Sequence, residues 1–400
     1  WHDWLSGGHV LLLMDGLDEI SLDESFAELV RRGLHAAKKC PVVLTCRTAD
    51  DRKLSSVCPD FEVFALPELA AEQRERFTNG FPTESGFDRD GLIKQFRDLP
   101  WLGRLAGNPL MLTAICQAMT PGDCAKLPST RTEVWDRTIQ RLLARQRKTV
   151  DYPSGDPGLD FRRVVAESLA LGFLPRRQPG TVCTEKELTR EVRKALAEEN
   201  VERNTADWEV AVRADLMLNS GLLRGNAFDG YWFLHLSLQE FLAAGALART
   251  VNHSVQGWDA EVPCGRWRIS VREFVDRKAW DPTWSEVIAL LAGQLDDPGP
   301  LIDMLSTPQP TPTNPKGDDL FRHRLALGAT CLPEIPYGRR ERCAALANRI
   351  TTEVFSLCRE HCRWNTEHAI EHIRHSLPPL AWANAMLDGM PVLDRLVTLL

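Results

Sequence analysis

Residues 10–14 form an unbroken apolar run that closes on Asp15, Gly16, Leu17 and the acidic pair Asp18 and Glu19. Such a run, ending in clustered acids, predicts a parallel strand buried on both faces that delivers carboxylates to the ligand-binding edge of an α/β sheet. Phe26, Leu29, Val30 and Leu34 follow with helical spacing. Residues 41–45 read as a second buried strand, so strand, helix and strand compose a βαβ unit. This second strand leads into Cys46, Arg47 and Thr48, which puts Arg47 at the same sheet edge as Asp15. A third short strand is predicted over 61–66, ahead of Pro67 and a helix near 70–77.

From about Asp88 onward the pattern is helical. Residues 99–119 carry helical spacing broken at Gly107, Asn108 and Pro109, where proline suits the first turn of a new helix. Residues 132–147 predict an amphipathic helix burying Val134, Trp135, Ile139, Leu142 and Leu143, and 151–158, rich in Pro, Gly and Asp, read as a linker. Helices are predicted over 161–172, 185–198 and 208–218, then a hairpin joining 222–224 to 231–233, then a helix over 236–247. Three helices and a hairpin in that order predict a winged-helix unit, an arrangement that serves DNA binding or plain packing. Beyond Trp258, helices at 284–295, 319–332 and 341–357 alternate with Pro-rich breaks. They read as stacked helical pairs of solenoid type without a strict period.

Composition narrows the class. With 400 residues, 44% hydrophobic and 26% charged, the chain is ordinary globular material long enough for several domains. A net charge of −7 disfavours a broad nucleic-acid surface. The eleven cysteines follow no regular framework, and Cys46 and Cys116 fall within apolar or helical runs, which suits reduced thiols in a cytoplasmic protein. No apolar run approaches the roughly 18 residues of a membrane span, and no signal-peptide pattern opens the chain, so no membrane partner is expected.

The chemistry of the acidic strand end follows from its residue types. A carboxylate at Asp15 suits Mg²⁺, which prefers oxygen ligands and keeps much of its water. Gly16 lets the chain turn sharply so that Asp18 and Glu19 fall back toward Asp15, and Glu19 can orient an attacking water. Clustered carboxylates raise one another's pKa, a cost most easily carried opposite a cation and a polyphosphate. The plainer reading is a buried strand followed by a solvated acidic loop. Likewise Arg47 could serve as a surface ion-pair partner, Pro109 as a helix start, and His235, between Leu234 and Leu236, as a core histidine.

Four segments in series carry a resemblance: Met14 to Glu19; Thr45, Cys46 and Arg47; Gly107 to Leu110; and the run Phe233 to Ala244, reading FLHLSLQEFLAA. In this order and spacing the chain resembles the NACHT family of STAND NTPases over roughly residues 1–250. The resemblance implies that Asp15 serves Mg²⁺ and that Asp18 and Glu19 serve hydrolysis. It implies further that Arg47 senses the γ-phosphate, Pro109 packs on the adenine, and His235 contacts the β-phosphate of bound ADP. The implied fold is α/β plus α. Residues 1–82 would be the C-terminal part of the NACHT nucleotide-binding domain, with a partial P-loop NTPase parallel sheet. A helical domain (83–150), a winged helix (151–252) and an α-helical, HEAT-like sensor region (253–400) would follow.

One departure bears on activity. The sequence holds no Gly-x-x-x-x-Gly-Lys-Ser/Thr loop; its one Lys-Ser/Thr pair, Lys148-Thr149, has Arg147 where glycine should stand. In the family this loop precedes the Walker B segment, which Met14 to Glu19 match, and the expectation is therefore a fragment that hydrolyses ATP weakly or not at all. The implied protein is an ADP/ATP-controlled switch that forms homo-oligomers on activation and senses a protein or other ligand through its C-terminal repeats, in bacterial signalling or antiviral defence. The alternative is a non-enzymatic helical adaptor with a remnant NTPase domain. A DNA-binding regulator is disfavoured, since 208–218 carries Arg213 as its single positive charge. Cys358, His361, Cys362, His368, His372 and His375 make a Zn²⁺ site conceivable, but their spacing fits no standard finger.

Overall fold

A computed structural model describes residues 2–15, 24–45, 61–82, 88–98, 100–118, 128–145, 150, 152–153, 155–174, 183–199, 205–228, 230–264, 267–310, 317–364, 376–383, 386–387 and 390–391. The chain is mostly helical with a few small sheets. It divides into two compact units, one of Trp1–Glu68 and one of Leu69–Pro175 with Cys183–Leu400.

In the first unit, α1 (His2–Gly7) precedes β1 (Leu12–Met14), α2 (Glu24–Ala36) and β2 (Val42–Leu44). The two strands pair in parallel with Leu13 opposite Val43, as a βαβ crossover requires. Backbone bonds from Leu12 N–H to Pro41 O and from Thr45 N–H to Met14 O, each 2.9 Å, extend the ladder at both ends. Burial departs from expectation. Leu12, Met14, Val42 and Leu44 are half-buried, but Leu13 is 71% and Val43 51% exposed, so one face of this pair is uncovered among the described residues. The predicted third strand is corrected as well. Residues 61–66 form no strand among the described residues, and Val63, Phe64 and Leu66 are exposed; β-branched and aromatic residues favour a strand only where a partner edge is within reach.

The second unit begins with α3 (Ala71–Gly80), α4 (Arg89–Asp98), α5 (Pro100–Leu105), α6 (Pro109–Ala118) and α7 (Arg131–Ala144). The five apolar positions predicted for α7 are all buried. Next come α8 (Gly158–Phe173), α9 (Glu185–Glu198) and α10 (Thr205–Ala214), then the antiparallel pair β3 (Leu223–Asn226) and β4 (Gly230–Phe233). Here α10 does not run on to 218 as a regular helix. It opens into a π turn over Asp215–Asn219, where the buried Asp215 carboxylate accepts from Tyr152 Oη, Arg162 Nε and Asn219 Nδ2. That network also binds Tyr152 into the core, so the segment read as a linker is packed at that residue.

At the centre lies α11 (Leu236–His253), buried without a break from Glu240 to Ala248 and packed against α8 and α13. A helix with no polar face in its middle belongs inside a core, and its Ala and Gly residues let neighbours approach closely. Beyond it, β5 (Glu261–Cys264) and β6 (Trp267–Ser270) form a hairpin within the region read as purely helical. The remaining elements are α12 (Val271–Lys278), α13 (Ser285–Gln294), α14 (Gly299–Ser306), α15 (His323–Cys331), α16 (Tyr337–Arg340), α17 (Ala344–Trp364), α18 (Leu377–Trp382) and the pair β7 (Met386–Leu387) and β8 (Met390–Pro391). Helix α15 starts four residues later than its pattern predicts, because the buried Asp318 carboxylate accepts from the N–H groups of Arg324 and Leu325 and so fixes the helix start. One hydrophobic core runs through the second unit from Leu92 to Leu380.

Candidate functional site

At the carboxyl end of β1, Asp15 is exposed and its Oδ1 accepts a hydrogen bond from the Thr45 hydroxyl at the matching end of β2. Parallel pairing produces this contact, since it brings both strand ends to one edge. The expected edge position of Asp15 is thus observed. Asp18, Glu19 and Arg47 lie outside the described residues.

Pro109 and His235 belong to the second unit and each begins a helix. Asn108 caps α6, its Oδ1 accepting from Leu110 N–H at 2.9 Å and Met111 N–H at 3.2 Å. Pro109 holds the first helical position, where a missing N–H costs nothing, and it is exposed. The preceding Gly107 accepts from Leu69 N–H at 2.8 Å, which ties the turn to the start of the unit. His235 caps the long central helix: its Nδ1 accepts from Ser237 N–H at 3.1 Å, and its carbonyl accepts from Leu238 and Gln239. An accepting Nδ1 places the proton of a neutral ring on Nε2. His235 is half-buried, at a helix end rather than in the middle of the core.

Arg213 pairs with Glu185 of α9, so the lone cation of 208–218 is engaged within the protein. Of the C-terminal histidines, His368, His372 and His375 lie outside the described residues. Among the described residues no three metal-ligating side chains converge.

The pattern of the chain did not show three buried ion clusters. Glu334, 4% exposed, accepts from Arg131 Nε at 2.8 Å and from Thr132 N–H at 3.0 Å. Burial works against the charged Arg131 guanidinium, but the Glu334 and Glu286 carboxylates more than offset it and raise its pKa. Glu167 is held between Arg163 and Arg249, and Arg324, fully buried, meets Asp276 at 2.6 Å. Only the Arg163–Glu167 spacing of four could have signalled any of these contacts in advance. No protein-family model matches this sequence, and no curated protein is a match to it.

Proposed function

We propose that this chain is part of a NACHT-type signal-transduction ATPase, a switch set by ADP and ATP that oligomerises when activated. The observation that carries the reading is the Asp15–Thr45 contact at the carboxyl edge of two parallel strands. That edge is where α/β sheets bind ligands. A carboxylate beside a hydroxyl offers the hard oxygen donors that suit Mg²⁺, and the bound ion would neutralise phosphate charge there.

In this reading Asp15 holds the ion's water shell, Asp18 and Glu19 position the attacking water, and Arg47 meets the γ-phosphate through its fork of donors. Pro109 offers an exposed apolar ring for the adenine. By the family resemblance His235 would contact the β-phosphate of ADP. Differential contacts to ADP and ATP would then bias two arrangements of the protein. The role in signalling or antiviral defence rests on family analogy, as do cytoplasmic placement and ligand sensing by residues 253–400. Among the described residues no helix is long and apolar enough to cross a membrane.

Without a phosphate-cradling loop in the sequence, turnover by these 400 residues is expected to be negligible, so nucleotide binding is the better test. Calorimetry with ADP, with and without Mg²⁺, on wild type, Asp15→Asn and His235→Ala should show Mg²⁺-dependent binding that both variants weaken. A second reading, a non-enzymatic helical adaptor, is favoured by the continuous core from Leu92 to Leu380. ADP binding absent from all three proteins would select it.

A further inference from the structure

A cleft of about 730 Å³ opens in the second unit where α7, α8, α11 and α13 meet. Its floor is organised by one buried carboxylate. Glu167 of α8 is 3% exposed, and its two oxygens accept from Arg163 Nε at 2.9 Å and from Arg249 Nε, on α11, at 3.1 Å. Gly245 permits this placement, since a Cβ there would lie 2.6 Å from Glu167 Oε1. Two guanidiniums share this carboxylate, and among the described residues Arg249 pairs with no second acid, so its charge is only partly offset there.

The two arginines differ in what remains available. Arg163 also gives Nη1 to Asp136 at 2.6 Å. Among the described residues Arg249 is bound through Nε alone, and no acceptor meets its two terminal nitrogens. They form a donor fork whose back is fixed and whose front reaches the cleft and an adjoining depression of about 1000 Å³, both of which Arg249 and His253 line. The cleft also carries Asp160, exposed and without an ion-pair partner among the described residues. Among the described residues no Phe, Tyr or Trp lines either hollow, so none offers a ring for a nucleobase to stack on.

We propose that this cleft binds an extended peptide segment of a protein partner, with an acidic side chain on the Arg249 fork and a basic one on Asp160. A guanidinium held from behind is preorganised for bidentate contact with a carboxylate, so little freedom is lost on binding. Walls of mixed sign reject a uniformly charged ligand, because each matched contact would be offset by a repelled one. The volume accommodates several residues in an extended conformation.

The test titrates the full chain with a short labelled peptide of alternating glutamate and lysine, read by fluorescence anisotropy. All-glutamate and all-lysine peptides of equal length and inorganic phosphate serve as competitors. The proposal expects saturable binding of the alternating peptide, weakened about tenfold by Arg249→Gln and about threefold by Asp160→Asn, with the three competitors ineffective. Arg249→Gln removes a partner of buried Glu167; should that variant fail to fold, Asp160→Asn, an exposed change, decides the matter. Binding unaffected by Asp160→Asn, absence of saturation, or equal competition by all-glutamate peptide or phosphate would overturn it, the last pointing to a simple anion site.

Discussion

Glu334 caps the first turn of a helix at a residue 202 positions earlier, its Oε2 accepting from both the backbone N–H of Thr132 at 3.0 Å and the Thr132 hydroxyl at 2.8 Å. The other oxygen takes Arg131 Nε at 2.8 Å. A first-turn N–H of α7, which has no partner within its own helix, thus finds a carboxylate on the favourable side of the helix dipole. Arg131 reaches Glu286 as well, at 2.8 Å, so three distant stretches of chain share one polar contact.

Removing that carboxylate has a defined cost. Glu334→Ala leaves a buried donor unmet, and a loss of roughly 2–4 kcal/mol is expected in urea unfolding. Glu334→Gln, which keeps an acceptor, should lose about half as much. A change within about 0.5 kcal/mol for the alanine variant would mean that the cap is incidental.

Gly245 offers a test of sign. Glycine to alanine in the middle of a helix ordinarily stabilises by about 1 kcal/mol. Here the new Cβ would meet Glu167 Oε1 at 2.6 Å and Gln294 Oε1 at 3.1 Å, and two arginines hold Glu167 in place. Gly245→Ala should therefore destabilise by about 1–3 kcal/mol in thermal or urea unfolding. A stabilised variant would show that Glu167 is free to move.

Cys116, 2% exposed, should make stability fall in alkali. Burial pushes its thiol up from 9.0 to about 11, only partly opposed by a hydrogen bond with Thr78. The unfolded chain releases this proton first, so between those two values the native state holds more protons and stability declines as pH rises. Cys116→Ala should flatten that part of the decline in unfolding free energy measured from pH 8 to about pH 11. Equal slopes in the two proteins would count against the shift.

Much of the local structure was legible in the residues. The 10–14 run and the 41–45 run do become parallel strands, 185–198 is a helix to the residue, and Pro109 starts one. These features depend on near neighbours in sequence. Exposure of Leu13 and Val43 was not legible, because a strand pattern records what a face could bury and not whether a second layer covers it. The hairpin at 261–270 was missed because its strands are short and one contains Pro263. The π turn and the delayed start of α15 are set by the side chains of Asp215 and Asp318, whose partners include residues the helical period does not weigh. The burial of charged residues such as Glu167, Glu334 and Arg324 was not legible, because each is offset by a partner far along the chain or on another helix. Of the candidate nucleotide site, the edge position of Asp15 and the helix starts at Pro109 and His235 are observed in the fold.

The central claim is that Asp15 stands at a Mg²⁺-nucleotide site, and the most direct measurement is ADP affinity as a function of Mg²⁺ and of that carboxylate. By calorimetry, wild type should bind ADP more tightly with Mg²⁺ than with a chelator, and Asp15→Asn should lose about tenfold in affinity with Mg²⁺ and little without it. ADP binding that is absent, or that is indifferent to both the ion and the substitution, would contradict the account.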